Sequence, residues 1–439
     1  MPYSKAVTTP PSKARDRFES LFADTRPLQN THYRHLWVAN IVTVIGAQLT
    51  VVAVPAQIYA LTQSSAMVGL TGLFGLVPLV AFGLWGGALA DAMDRRTLLI
   101  ITTLGLIGTS ALFWLQAHLA IDNVWLVLAL FSVQQAFFAV NQPTRSALLP
   151  RILPTDQLPA GNALNMTVMQ AGGIAGPLVA GALIPFTGLA TLYLIDTFAL
   201  GATLWAVITL PHMPPTSGAS AVPGLRSVID GFGYLAGNKV LLMSFVVDII
   251  AMLFGMPRAL FPQIAHESFG GEIDGGSIFA ALFAAIPLGA VLGGVFSGWV
   301  SKVEHQGRAV IIAIVIWGLA MTGFGVAVGF AGVSLQVALV VAVVMLVIGG
   351  AADMVSAAFR STMLQEAATD EVRGRLQGVF IVVVAGGPRM ADVVHGGAAA
   401  VVGTAVASAG GGILTVVLTV VVALAVPTFV RYRVVRAVH

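Results

Sequence analysis

Apolar runs of a size to cross a bilayer as helices, about 20 residues each, recur twelve times along the chain. They lie near 37–61, 66–90, 97–118, 123–146, 160–185, 188–211, 239–264, 275–300, 308–331, 334–359, 374–402 and 408–430. Runs such as Val337–Ile348 are apolar on every side, without the two-residue alternation of a barrel strand. Lipid requires each crossing segment to satisfy its own backbone hydrogen bonds. The pattern therefore predicts an all-α integral membrane protein with twelve transmembrane helices. The polar remainder is an opening segment at 1–36, a Pro-, Ser- and Gly-rich connection at 212–238 and a tail at 431–439. The opening segment lacks the apolar core of a secretory leader. Its Phe18, Leu21 and Phe22 fit a short interfacial helix and a tethered, disordered tail equally.

Composition agrees: 57% of residues are hydrophobic and 9% charged, with a mean hydropathy of +0.91. Soluble domains carry about 25% charged residues. The absence of cysteine excludes disulfides, thiolate metal sites and cysteine nucleophiles. The net charge of +3 reports topology. Of 22 Lys and Arg residues, all but Arg258 and Arg389 fall in loops or helix ends on one side, the side of both termini. The bias of basic residues towards the cytoplasm places both termini there, in a multi-pass protein of the inner (plasma) membrane.

The chain is also duplicated. Gly83, Gly87 and Asp91, followed by Arg95-Arg96, correspond to Gly294, Gly298 and Lys302, followed by Gly307-Arg308. Gly87 and Gly298 are 211 positions apart, as are Pro177 and Pro388. Two pseudo-symmetric six-helix bundles follow, at 37–211 and 239–430. Repeats of this kind form transporters whose site lies between the halves.

The segment from Gly87 through Asp91 to Arg95 and Arg96 resembles the signature loop of the major facilitator superfamily. The resemblance implies a cytoplasmic gate in which Asp91 meets the start of span eleven at Gly374 and Arg375, with Arg145 and Arg360 at equivalent ends of spans four and ten. The second copy carries Lys302 in place of the acid. Gly172, Gly173, Gly176, Pro177 and Gly181 are similar to the antiporter motif of span five, which implies export. A narrower resemblance runs through 141–150, Asn162, Asn165, Asp248, Pro257, Pro262, Gly374 and Arg375. It points to the proton-antiport branch containing the enterobactin exporter and macrolide-efflux relatives. The run 386–392 leans towards the former, although Ala391 stands where a glycine is expected.

Charges inside spans are costly and are usually paired or functional. Asp248, Asp392, Asp353 and His395 are the candidates for proton coupling, with Asp248 the leading one. Arg258 and Arg389 are candidates for substrate or gating contacts. Arg389, Asp392 and His395 are spaced i, i+3, i+6, which permits an Arg389–Asp392 pair on one helix face. Asp196, on a span peripheral to the cavity in this superfamily, reads as structural. Asn40, Gln48, Gln134, Asn141 and Asn165 face either substrate or a neighbouring helix.

These features predict a secondary active exporter that moves an amphipathic organic molecule outwards by proton antiport with alternating access. A siderophore is the first expected substrate and multidrug or antibiotic efflux the alternative. The expected partners are the small molecule, protons and the bilayer, with a monomeric chain and no nucleic acid. Phosphate-cradling and metalloprotease motifs are absent, so ATP-driven pumping, a membrane enzyme, a cofactor and a metal are not expected. A channel, the remaining alternative of a different class, would not need the duplicated signature loop.

Overall fold

A computed structural model of the chain describes residues 24–214, 233–235, 237–367 and 370–433. It is helical, with twelve long helices among those residues. In the first half these are α1 (Thr31–Thr62), α2 (Ser65–Ala92), α3 (Arg95–His118), α4 (Val124–Ser146), α5 (158–187) and α6 (189–208). The second half has α7 (Lys239–Gly255), α8 (Ser277–Val295), α9 (Gln306–Gly329), α10 (Leu335–Ala367), α11 (Asp370–Val402) and α12 (Thr404–Ala425). Among the described residues, ten apolar segments are long enough to cross a membrane, one of them Thr155–Ile208 with 54 residues. Gly188 breaks that segment into α5 and α6 at φ 71°, ψ 174°, a conformation that only glycine adopts without strain.

Local chemistry sets the helix ends. The side chains of Asn30, Asp94, Asn123 and Asn238 accept backbone N–H groups of the first turns of α1, α3, α4 and α7. Such caps satisfy donors that have no partner inside the helix. Span seven, expected to run on to 264, ends as a helix at Gly255. Pro257 disfavours helical backbone at the residue before it, and Met256 lies at φ −123°, ψ 79°. The chain continues through a 3-10 turn, Arg258–Leu260, and a π-helical turn, Ile264–Ser268.

Helices α1, α3, α5 and α6 pack together and α2 lies against α4, while α9 packs on α10 and α12, and α7 on α11 and α12. Contacts between the halves run mainly through α2 with α11 and α5 with α8. Small residues make both seams possible. A Cβ on Gly72 would overlap the Arg389 carbonyl, and Gly69 abuts Gly396 and Asp392. On the other seam a Cβ on Gly181 would overlap Ala280.

All these close approaches lie towards the face opposite the termini. Gly83 lies eleven residues beyond Gly72, three helical turns along the same face of α2, yet a Cβ there would meet nothing within 4 Å. The halves thus meet closely at the far face, while open space faces Gly83 nearer the termini face. Large apolar side chains such as Leu104, Leu112, Val340 and Val421 are exposed on the outside, as a lipid-facing surface requires.

Candidate functional site

Arg258, Arg389 and Asp392 meet beneath the closed far face, where the break after α7 approaches α11. The turn following Pro257 aims Arg258 at Asp392, with Nη2 and Oδ2 3.5 Å apart. Arg389 does not make its ion pair with Asp392 on its own helix. Its guanidinium crosses into the other half, over Gly75 of α2, and donates to Oε1 of Gln135 on α4 at 2.9 Å. It also sits 5.1 Å from the centroid of the Phe131 ring. Residues three apart on a helix permit a pair but do not compel one. Arg258, Arg389, Asp392 and Phe131 border a small cavity of ≈ 80 Å³ whose other walls include Val51, Val54 and Phe283.

A second cluster lies nearer the termini face. Arg360 of α10 forms an ion pair with Asp248 of α7, stands 4.0 Å from Asp353, and donates to Ser356 Oγ at 3.2 Å. Asp248 is 3% exposed and Asp353 32% exposed. One guanidinium therefore serves two carboxylates.

His395 turns away from both clusters. Its Nε2 donates to the Phe254 carbonyl at 3.0 Å, and its ring packs on Gly411 of α12. Asp196 is buried and accepts hydroxyl hydrogen bonds from Thr50 at 2.7 Å and Ser110 at 2.9 Å, tying α6 to α1 and α3.

The polar candidates separate by helix face. Asn141 donates to Thr102 and Thr103 of α3, and Phe137 fills the space at Gly105 of α3. Gln134 is buried on that same stripe of α4. Its neighbour Gln135, which sequence reasoning missed, lies one residue and about 100° round the helix and meets the Arg389 guanidinium. The doubled glutamine was the available signal, but its facing was not legible. Asn40 is buried, Asn165 is half-buried, and Gln48 packs on Gly176. Within the antiporter-like motif, Gly172 and Gly176 face Val44 and Gln48 of α1, while Gly173 and Gly181 face Pro287 and Ala280 of α8. Pro177 lies within α5 and is buried.

At the termini face, Arg95 donates to the Ala147 carbonyl at 2.9 Å and Arg96 to the Ile208 carbonyl at 2.8 Å. Both guanidiniums thus satisfy carbonyls at helix ends of their own half. Arg145, half-buried at the end of α4, lies near Tyr33. Beside them Asp94 accepts the N–H groups of Thr97 and Met213 at 2.9 and 2.6 Å. Partial burial pulls its carboxyl upward, but these donors outweigh it and hold the group below its ordinary 3.8. The side chains of Gly87, Asp91, Gly374 and Arg375, on which the expected gate rests, lie outside the described residues.

A network not anticipated from sequence closes the far face. Tyr59 at the end of α1 donates to Glu267 Oε1 at 2.8 Å, and Gln263 donates to Glu267 Oε2 at 2.8 Å. Ser65, which opens α2, donates to Gln263 Oε1. Tyr59 and Ser65 gave no sequence signal, because their partners Glu267 and Gln263 lie 208 and 198 residues away.

The geometry is that of a two-halved membrane bundle with charged groups enclosed between the halves. Among solved structures, the fold matches the nucleoside transporter NupG (TM-score 0.70, 13% identity, covering 92% of this chain and all of that one). It also matches a D-xylose-proton symporter (TM-score 0.67, 13% identity, 90% and 97% covered). In sequence the chain is 29% identical over 368 residues to the enterobactin exporter EntS of Shigella boydii serotype 18, covering 80% of this chain and 82% of that one. It is 28% identical to EntS of Escherichia coli O139:H28, with the same coverage. The profile of the transmembrane secretion effector family matches residues 22–435. The chain is a multi-pass transporter that belongs to the transmembrane secretion effector family of the major facilitator superfamily.

Proposed function

We propose that this transporter carries an amphipathic organic molecule out of the cytoplasm by proton antiport, with a siderophore as the first candidate substrate. The observation that carries this reading is the placement of Arg258, Asp392 and Arg389 between the halves beneath a closed far face, with open space at Gly83 on the termini side of α2. A cavity of this kind loads from the termini face and empties after the halves rock against each other. The positive-inside bias supports cytoplasmic termini, so loading from that face is loading from the cytoplasm. The 28–29% identity to enterobactin exporters supports the direction of transport and the first choice of substrate.

The two halves, 37–211 and 239–430, act as the rocking units, joined by 212–238, in a monomer of the plasma membrane. In the Asp248–Arg360–Asp353 cluster one guanidinium faces two carboxylates, leaving one negative charge for an entering proton to neutralise. Transport by proteoliposomes with an imposed pH gradient tests the mechanism, and flux indifferent to the gradient overturns antiport. Metabolite profiling of a strain lacking the gene, grown under iron limitation, tests the substrate. Retained siderophore supports the first choice.

A further inference from the structure

The cavity beneath the far face has an unbalanced charge. Two guanidiniums, Arg258 and Arg389, border it, and Asp392 is the sole carboxylate lining it among the described residues. Glu267, on the turn that follows Arg258, is engaged by Tyr59 and Gln263. His395 is turned to the Phe254 carbonyl. Asp392 is committed to Arg258, whereas Arg389 has the amide oxygen of Gln135 and the face of Phe131. A neutral amide and an aromatic ring satisfy donor geometry and part of the field, but they leave a full positive charge in a largely apolar enclosure. Such a charge is costly unless a counter-charge joins it.

We infer that Arg389, with Arg258, forms the subsite for the acid group of an organic anion, seated in the ≈ 80 Å³ cavity, with its aromatic body held against Phe131 and Phe283 as the halves move apart. This inference rests on the exporter reading and specifies its substrate class. A guanidinium presents paired donors suited to a carboxylate or another acid with two adjacent oxygens. Both rings border the cavity, and Phe283 is itself buried at 8% exposure with edge-on contacts to Phe261 and Phe279. Asp392 competes with the ligand for Arg258, so it sets how much positive charge the ligand meets. Outward movement of an anion and inward movement of a proton displace charge in the same sense. A membrane potential negative inside therefore assists both.

Three probes of one shape test the charge preference: 2-naphthoate, its methyl ester and 2-naphthylmethylammonium, titrated into the purified full chain in lipid nanodiscs. The expected order places the carboxylate at least about tenfold tighter than the other two. Arg389→Gln is expected to weaken the carboxylate by about tenfold while leaving the ester unchanged. Asp392→Asn is expected to tighten the carboxylate, a gain that misfolding cannot produce. Equal binding of all three probes, absence of binding, preference for the ammonium, or weaker carboxylate binding by Asp392→Asn overturns the inference. Proteoliposomes separate it from the exporter reading. Gradient-driven export of the ammonium probe overturns the anion site and leaves export standing. Tight binding of the carboxylate with no gradient-driven movement upholds the anion site and overturns export.

Discussion

Arg360 of α10 pairs with Asp248 of α7 and lies 4.0 Å from Asp353 on its own helix. The relationship joins two helices of the second half through a charge that neither can leave unpaired at low cost. Breaking one partner of a buried pair costs about 3–5 kcal/mol, unless a second carboxylate takes over. Asp353 stands ready to do so. Asp248→Asn is therefore expected to fold, to retain substrate binding, and to lose gradient-driven export by at least about tenfold, equivalent to about 1.4 kcal/mol. Transport in proteoliposomes, compared with binding by the same preparation, checks this. Wild-type coupling in the variant would remove Asp248 from the proton path.

The far-face network of Tyr59, Glu267, Gln263 and Ser65 holds the described state. Tyr59→Phe deletes one hydrogen bond, expected to destabilise the closed face by about 1 kcal/mol. Glu267→Gln weakens a charge-assisted bond and shifts the equilibrium further. The cysteine-free chain permits spin labels at Ser64→Cys and Ser268→Cys without background. Longer distances in both variants are expected, and unchanged distributions would show that the seam of α2 on α11 closes the face alone.

That seam makes its own prediction. Gly72→Val sets a side chain against the Arg389 carbonyl, an overlap expected to cost about 1–3 kcal/mol in this state. The same spin-label pair is expected to report a shift away from far-face closure. Gly83→Val, on the same stripe but facing open space, is expected to leave the distribution unchanged in this state. Equal effects of the two would contradict the asymmetry between the faces.

Asp94 links stability to acid. Its folded-state carboxyl is held below the ordinary 3.8, so its contribution is present above that value and is lost as pH falls through it. Asp94→Ala removes the α3 cap and the contacts to Met213 and His212, expected to cost about 1 kcal/mol near neutral pH. Thermal unfolding measured from neutral to acid pH checks this, with wild type and variant converging at the acid end. A constant difference at every pH would separate the loss from titration.

The amino-acid sequence by itself determined the class, the number and order of the helices, the duplication, and which charges lie inside the membrane. It does so because lipid imposes a rule on each segment separately. A crossing helix must be long and apolar, and any charge it carries stands out against that background. Glycine stripes on α2 and α5 were legible for the same reason. Tertiary structure alone decided the partners. Arg389 reaches Gln135 across the halves rather than Asp392 three residues on, and Asp248 finds Arg360 more than a hundred residues away. Tyr59 meets Glu267 on a π-helical turn, Ile264–Ser268, just past the expected end of span seven. A one-residue step rotates a helical side chain by about 100°, and which face meets which neighbour depends on how the twelve helices pack. No single segment encodes that packing, and it is what turns scattered intramembrane charges into a site.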